Sequence, residues 1–307
     1  MRVGGRAQWL LEPRTPEELR AAWIAARERG LEVRVLGGGA NLIVEDGLLP
    51  GAVIATDRLN RLFRPASDGE AAFDPESAAT LALEREGDPR LVAWCGVTLP
   101  SLVARAGELG WSGLEGLSGV PGHLGGGLAM NAGGRWGELW DVVETVRLMA
   151  PDGSVRDLGR SECSPRYRDG NLGGQIVLGA VLRLEVDRPE VVKARAREYL
   201  QQKARVQPTW QRSCGCIFKN PDPKLSDGRS AGKLIDDCGG KGLARGDAVV
   251  SALHANFIVN QGRATAADVL ALIEDVRDLV LQVSGVRLET EAQVWRTATP
   301  AGVRLPR

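Results

Sequence analysis

A chain of 307 residues is about two domains long at roughly 150 residues each, which excludes a peptide hormone or a disulfide-stapled mini-scaffold. Its 39 basic and 39 acidic residues cancel, so no overall field draws it to nucleic acid or an anionic membrane, and a polyanionic partner must be held locally. The 43% hydrophobic content excludes disorder, while 39 glycines, about 13% against a usual share of about 7%, need a structural or functional reason.

Cys95, Cys163, Cys214, Cys216 and Cys238 are an odd set in a long chain, which predicts reduced thiols and a cytoplasmic setting. The opening residues Met1 to Gly5 lack the apolar core of a signal peptide, and no apolar run is long enough to span a bilayer. Thr15-Pro16-Glu17-Glu18 predicts a capping box, with Thr15 accepting amide protons, Pro16 at the first helical position and Glu18 reaching back. Leu19, Ala22, Trp23 and Ala26 then recur at helical spacing until Gly30. Glu32 to Leu36 predicts a strand running into Gly37-Gly38-Gly39, and Leu42 to Val44 and Ala52 to Ile54 predict two more.

The middle of the chain reads as β-rich. Strands are expected at Leu91 to Trp94, Val143 to Met149, Ser154 to Leu158 after a turn at Asp152-Gly153, and in the alternating stretch Ile176 to Val186, with a helix at Leu99 to Leu109. Gly113 to Gly137 is expected to be irregular, because glycine suits positive φ and close approach of a ligand to backbone. Near Arg188-Pro189 the pattern changes to a charged helix, Pro189 to Val206, which suggests one domain over 1–188, with lobes of about 1–60 and 61–188, and a second over 189–307. A glycine-containing basic stretch, Cys214 to Gly246, leads to a strand at Asn256 to Asn260. A long helix follows, opening at Thr265-Ala266-Ala267-Asp268, with Val269, Leu272, Ile273, Val276, Leu279, Val280 and Val283 on one face and Gly285 at its end.

Two glycine clusters carry the chemical interest. Gly37-Gly38-Gly39-Ala40-Asn41 lies between strands, where converging amides could nest an anion, although a tight turn would use the same residues and no dinucleotide or P-loop spacing is present. From Glu115 to Gly127, continuing through Met130-Asn131-Ala132-Gly133, the density of glycine is costly to order and suits a ligand lying on bare backbone. His123 is uninformative alone. Cys214-Gly215-Cys216, with Cys238 and His254 at a distance, could suggest a metal or redox pair, but the single intervening residue is not the usual zinc spacing, and no metal is expected.

Val35 to Val44, Gly113 to Gly133, Tyr167-Arg168-Asp169, Gly215-Cys216-Ile217-Phe218-Lys219-Asn220-Pro221, Ser230 to Asp236, His254 to Asn260 and Leu288-Glu289-Thr290-Glu291 stand in an order that resembles the UDP-N-acetylenolpyruvoylglucosamine reductase family over nearly the whole chain. The resemblance implies an α+β fold with an FAD domain of the vanillyl-alcohol-oxidase (PCMH) type and a C-terminal substrate domain. It implies NADPH as co-substrate and UDP-N-acetylglucosamine enolpyruvate as the acceptor, in a monomeric, cytoplasmic enzyme of peptidoglycan synthesis. Flavin would be held by Gly37, Gly38, Gly39, Ala40, Asn41 and Leu42 at its phosphates, and near its ring by Gly119, Val120, Pro121, Gly122, Gly125, Gly126, Asn131, Ala132 and Gly133.

The same resemblance matches Arg168 to the arginine that pairs with the enolpyruvyl carboxylate, a task suited to a planar bidentate donor, and Glu291 to the glutamate that assists protonation. A surface ion pair and an exposed strand-end carboxylate are the bland alternatives. Tyr167, Arg205, Lys219, Asn220, Lys241 and Asn256 are expected around the substrate, with solvated surface as the competing reading for Lys241. The family's proton donor is a serine, and Cys216 stands in its place here; a thiol of reference pKa about 8.5 is the stronger acid and still donates at neutral pH. Arg2-Val3-Gly4-Gly5 resembles a motif that the family precedes with a short leader ending in Asn-Thr. With only Tyr167 and Tyr199, the chain is similar to the type that lacks a tyrosine-bearing loop. Another flavin oxidoreductase of this fold, or a non-catalytic nucleotide-binding relative, are the alternatives.

Overall fold

Thr15 starts the first helix, Pro16–Glu28, by accepting the Glu18 N–H at 3.2 Å. Glu18 does fold back, but its carboxylate takes the N–H of Arg14 at 2.7 Å, one residue before the cap, so the expected reciprocal box is not formed. Leu19, Trp23 and Ala26 form the buried face. The strand Val33–Leu36 runs parallel to the second half of Leu48–Ala55, in the register Val33↔Ala52 to Leu36↔Ala55. The computed structural model describes residues 1–65, 72–73 and 87–297.

Two compact units divide the chain. One comprises Leu10–Gly38 and Ala52–Lys203, the other Met1–Trp9, Gly39–Gly51 and Ala204–Arg307. Compactness therefore does not follow a single cut after residue 188. The reason for the detour at 39–51 is local: Leu42–Val44 pairs in parallel with Gln293–Trp295, Leu42↔Gln293 to Val44↔Trp295, and that pairing joins the segment to the C-terminal portion.

The larger unit is built on a five-stranded antiparallel sheet in the order Val155–Gly159, Val143–Met149, Ile176–Arg183, Arg90–Trp94, Leu62–Phe63. Val177 to Leu182 is continuously buried, because this central strand is covered on both faces, and the expected alternation is absent. Its ladder ends at Arg183, and Glu185–Val186 pairs separately with Trp111–Ser112. Ser154 is not in the strand as expected: Asp152 takes its N–H at 2.9 Å and holds it in the preceding turn. The helix Leu99–Leu109 forms as the pattern predicts, capped by Thr98.

The glycine-rich stretch departs from expectation. It contains a 3₁₀ turn at Glu115–Leu117 and a helix at Leu124–Ala129 that packs against the central strand. Several of its glycines serve close internal packing. A Cβ on Gly127 would sit 3.0 Å from Leu139 Cδ2, and one on Gly116 would sit 2.5 Å from the Trp136 carbonyl oxygen.

The second unit has its own core, with Ile43, Ile217, Phe218, Leu234, Ile258 and Leu272 among its buried members. Ala244–Arg245, Ala248–Val250 and Ile258–Asn260 form a three-stranded antiparallel sheet beside the helix Ala266–Ser284. Thr265 and Asp268 form a capping box at the expected start of this helix, and the Asp46 carboxylate adds bonds to the N–H groups of Ala266 and Ala267 at 3.1 and 3.0 Å. Val283 departs from the expected apolar face and is 63% exposed, because the chain turns at Gly285 and Val286 and Leu288 fill the core there instead. None of the five cysteines is in a disulfide. Burial pushes Cys95 up to about 12 and Cys214 up to about 11. No helix among the described residues is long and apolar enough to cross a membrane.

Candidate active site

The two glycine clusters meet within the larger unit. A Cβ on Gly38 would lie 3.0 Å from Gly122 Cα and 3.1 Å from His123 Cδ2, and one on Gly37 would lie 3.8 Å from His123 Cβ. Gly122 reaches this contact in a left-handed conformation, φ +107°, that a side chain would strain. Behind it, the Thr56 hydroxyl donates to the Leu36 carbonyl at 3.2 Å and stands 3.3 Å from His123 Nδ1. A hydroxyl has one proton, so with that proton on Leu36 the imidazole carries hydrogen on Nδ1 and donates it to Thr56. Burial lowers the His123 pKa, opposed by Asp57 at 3.8 Å from Nε2.

Further along, Val120 bonds back to the Leu117 carbonyl, Pro121 is exposed, and the Gly122 carbonyl takes the Leu99 N–H. Gly125 sits against Cys95, while a Cβ on Gly126, which is exposed, would meet nothing within 4 Å. Ala132 exchanges backbone bonds with Gly127 and Leu139, and Gly133 pairs with Glu138. Asn131 is buried at φ +43° and donates through Nδ2 to Glu138 Oε2 at 2.7 Å and to the Arg166 carbonyl at 3.0 Å. Its Oδ1 and the Ser118 Oγ are buried with no hydrogen-bond partner among the described residues.

Through that Arg166 bond the second glycine cluster supports the turn Arg166–Asp169, closed by reciprocal backbone bonds of 2.7 and 3.1 Å. Arg168 sits on the turn at φ +56°, half-buried, with its guanidinium 5.0 Å from the centre of the exposed Tyr167 ring. Lys203 faces the same cluster: Nζ donates to the Ser118 carbonyl at 2.7 Å, and burial, then the charge of Arg168, push its pKa down to about 8.

In the second unit, Gly39 takes φ +61° and leads through Ala40 into Asn41 and Leu42. Asn41 Nδ2 donates to the Glu291 carbonyl at 3.3 Å, and Leu42 opens the strand paired with Gln293. Cys216, half-buried, bridges to Phe257. The next residue, Ile217, gives its N–H to the Asn256 carbonyl at 2.9 Å and accepts the Glu291 N–H at 2.7 Å. Cys216 and Glu291 therefore lie on adjoining chain segments of one short ladder. Arg168, the third residue of the expected trio, belongs to the other unit.

The residues expected around substrate are mostly engaged internally. Lys219 pairs with Glu289 at 2.5 Å and Lys241 with Asp236 at 2.8 Å. Asn220 accepts the Ala231 N–H at 3.1 Å at the start of the helix Ala231–Asp237. Asn256 is buried with its amide on Phe218, and Arg205 is exposed near the end of the helix Pro189–Val206. Thr56, Ser118, His123 and Lys203 were not among the expected site residues. Ser118 and His123 had a signal, their place inside the second glycine cluster; Thr56 and Lys203 are brought in by packing. No group of three or more His, Cys, Asp or Glu residues able to hold a metal occurs among the described residues, and Cys214 lies in the apolar core.

Comparison with known proteins reaches residues of both units. Residues 7–159 match the model of an FAD binding domain family, and residues 207–295 match that of the UDP-N-acetylenolpyruvoylglucosamine reductase C-terminal domain. The chain is 37% identical over 296 residues to the UDP-N-acetylenolpyruvoylglucosamine reductase of Acaryochloris marina, covering 95% of this chain and 88% of that protein. It is 39% identical over 297 residues to that of Deinococcus radiodurans, covering 95% and 91%. Among solved structures, UDP-N-acetylenolpyruvylglucosamine reductase from Thermus caldophilus superposes with a TM-score of 0.73 at 37% identity, over 95% of this chain and 94% of that one.

Proposed function

The chain belongs to the UDP-N-acetylenolpyruvoylglucosamine reductase family, an FAD-dependent oxidoreductase family, and on that premise we propose that it reduces UDP-N-acetylglucosamine enolpyruvate to UDP-N-acetylmuramate with NADPH, as a cytoplasmic step of peptidoglycan synthesis. The observation that carries this reading is the ladder setting Cys216 beside Glu291 through Ile217. The residues present also fit a flavin: Asn131 Oδ1 and Ser118 Oγ are buried hydrogen-bonding atoms awaiting a partner, and Gly126 leaves open space where a side chain would stand. FAD, when bound, accepts hydride from the nicotinamide and delivers it to the vinyl carbon of the enolpyruvyl group.

The chain's own residues do the rest. The bare backbone of Gly37 and Gly38 admits phosphate oxygens, and Asn131 and Ser118 meet polar atoms of the cofactor. Arg168 pairs with the substrate carboxylate and stabilises the negative charge that develops beside the carbon receiving hydride. Cys216 gives its Sγ proton to that neighbouring carbon, and Glu291 orients the exchange. A thiol in place of the family's serine keeps a donor of adequate acidity at neutral pH.

Anaerobic spectroscopy tests this reading. The yellow holoprotein is expected to bleach with NADPH and recolour on addition of the enolpyruvyl nucleotide. Cys216→Ala should bleach at the wild-type rate and recolour about a hundredfold or more slowly, the usual contribution of a positioned acid. Recolouring of that variant at full rate overturns Cys216 as donor; a wild-type protein that bleaches without recolouring overturns the substrate.

A further inference from the structure

We propose that Asn256 is a positioning residue that fixes the segment bearing Cys216 against that bearing Glu291, rather than a ligand of the substrate; the inference rests on the function proposed above. Asn256 is 3% exposed, and both ends of its amide are spent on one residue. Oδ1 accepts the Phe218 N–H at 2.9 Å and Nδ2 donates to the Phe218 carbonyl at 2.8 Å. Its own carbonyl takes the Ile217 N–H at 2.9 Å, and its N–H donates to His254 Nδ1 at 3.3 Å. The side chain thus supplies the rung that a neighbouring strand would otherwise provide, two residues beyond Cys216.

The opposite edge of the same segment belongs to Glu291. The Ile217 carbonyl accepts the N–H groups of Glu291 and Ala292 at 2.7 and 3.3 Å, Phe218 bridges to Thr290, and the Lys219 N–H reaches the Glu289 carbonyl at 2.9 Å. Residues 216–219 are therefore gripped between Asn256 on one side and the Glu291 segment on the other. His254 completes the clamp: its ring lies edge-on to Phe257 at 4.9 Å, burial lowers its pKa, and with Nδ1 accepting the Asn256 N–H the proton of the neutral ring stands on Nε2. The titratable groups around it are His254 with Lys241 in its field, Cys216, Glu291 and the Lys219–Glu289 pair. Phe218 offers one donor and one acceptor, so the grip needs a planar group that accepts at one end and donates at the other, which an ionised carboxylate cannot do.

Asn256→Asp turns that requirement into a test. With the carboxylate ionised, one oxygen still accepts the Phe218 N–H while the other faces the Phe218 carbonyl; protonation restores the donor. The variant is expected to keep the wild-type dissociation constant for FAD and the wild-type rate of bleaching by NADPH. Its recolouring at saturating enolpyruvyl nucleotide should be about tenfold to a hundredfold slower at pH 8 and approach wild type as the pH falls towards 5.5. Iodoacetamide should alkylate Cys216 at an altered rate, read by peptide mass spectrometry, with Cys238 unchanged. Asn256→Ser, which provides one hydroxyl where two groups are needed, is expected to show the same split without the acid rescue and serves if Asn256→Asp does not fold. A lower melting temperature with bleaching, recolouring and Cys216 alkylation unchanged would reduce Asn256 to a structural residue and overturn the proposal. So would a weaker substrate dissociation constant with an unchanged rate at saturation, which is the mark of a ligand. If wild type itself fails to recolour, the proposed substrate is wrong, and the alkylation rate still decides the clamp.

Discussion

Lys203 holds a charge in an unfavourable place. Its ammonium donates to the Ser118 carbonyl, has no carboxylate within ion-pair distance among the described residues, and shares its surroundings with Arg168. Burial chiefly, and that guanidinium secondarily, lower its pKa to about 8. Between that value and the unfolded one of about 10.4, the unfolded chain binds the proton that the folded chain releases, so this residue adds stability as pH rises through the interval and contributes a constant penalty below it. Lys203→Met removes the penalty along with one hydrogen bond. Relative to wild type, the variant should therefore lose ground by about 2 kcal/mol between pH 7 and pH 10, allowing for partial exposure of the amine. Urea denaturation at both pH values measures this, and an unchanged difference would show the amine to be solvated in the folded state.

At the level of the element, the helix Leu124–Ala129 has three successive glycines that do different things. Gly125 gives its N–H to the Cys95 carbonyl at 2.8 Å, and a Cβ there would lie 3.0 Å from Cys95 Cβ and 3.3 Å from Cys95 O. Gly125→Ala overpacks a buried strand end and should cost about 1–3 kcal/mol. Gly126→Ala meets nothing, and should stabilise the apoprotein by about 0.5–1 kcal/mol through the unfolded state. If the open side of Gly126 is where the flavin lies, the same substitution weakens FAD binding. Thermal unfolding of the apoproteins with FAD titration by fluorescence quenching reads both effects, and unaltered FAD affinity in Gly126→Ala would remove this helix from the flavin cradle.

For the whole molecule, each unit has a separate apolar core, and in the larger one buried polar atoms at Ser118 and Asn131 have no hydrogen-bond partner among the described residues. A cofactor that binds only the folded chain and satisfies those atoms adds stability by mass action, about 2.7 kcal/mol at a hundredfold excess over its dissociation constant. Removing FAD should therefore lower the melting temperature, and returning it at increasing concentration should raise it progressively. A transition indifferent to FAD concentration would mean that the folded and unfolded chains bind it alike.

Local chemistry was legible in the residue order wherever a signal acts over a few neighbours. Thr15, Thr265 and Gly285 marked helix ends correctly, Val143 to Met149 and Leu99 to Leu109 formed where their spacing placed them, and the order of motifs from Val35 to Glu291 led to the family. The uses of the glycines were not legible. Gly125 and Gly126 are alike in sequence, and only the approach of Cys95 makes one a packing contact and leaves the other open. The same holds for Asn256, whose amide could equally face solvent, substrate or backbone until Phe218 is folded against it, and for Lys203, whose distance in sequence from Ser118 hides their hydrogen bond. Capping and periodicity depend on residues within a turn of one another, whereas burial, orphaned polar atoms and close contacts depend on which distant segments are packed together, and no short-range pattern encodes those neighbours.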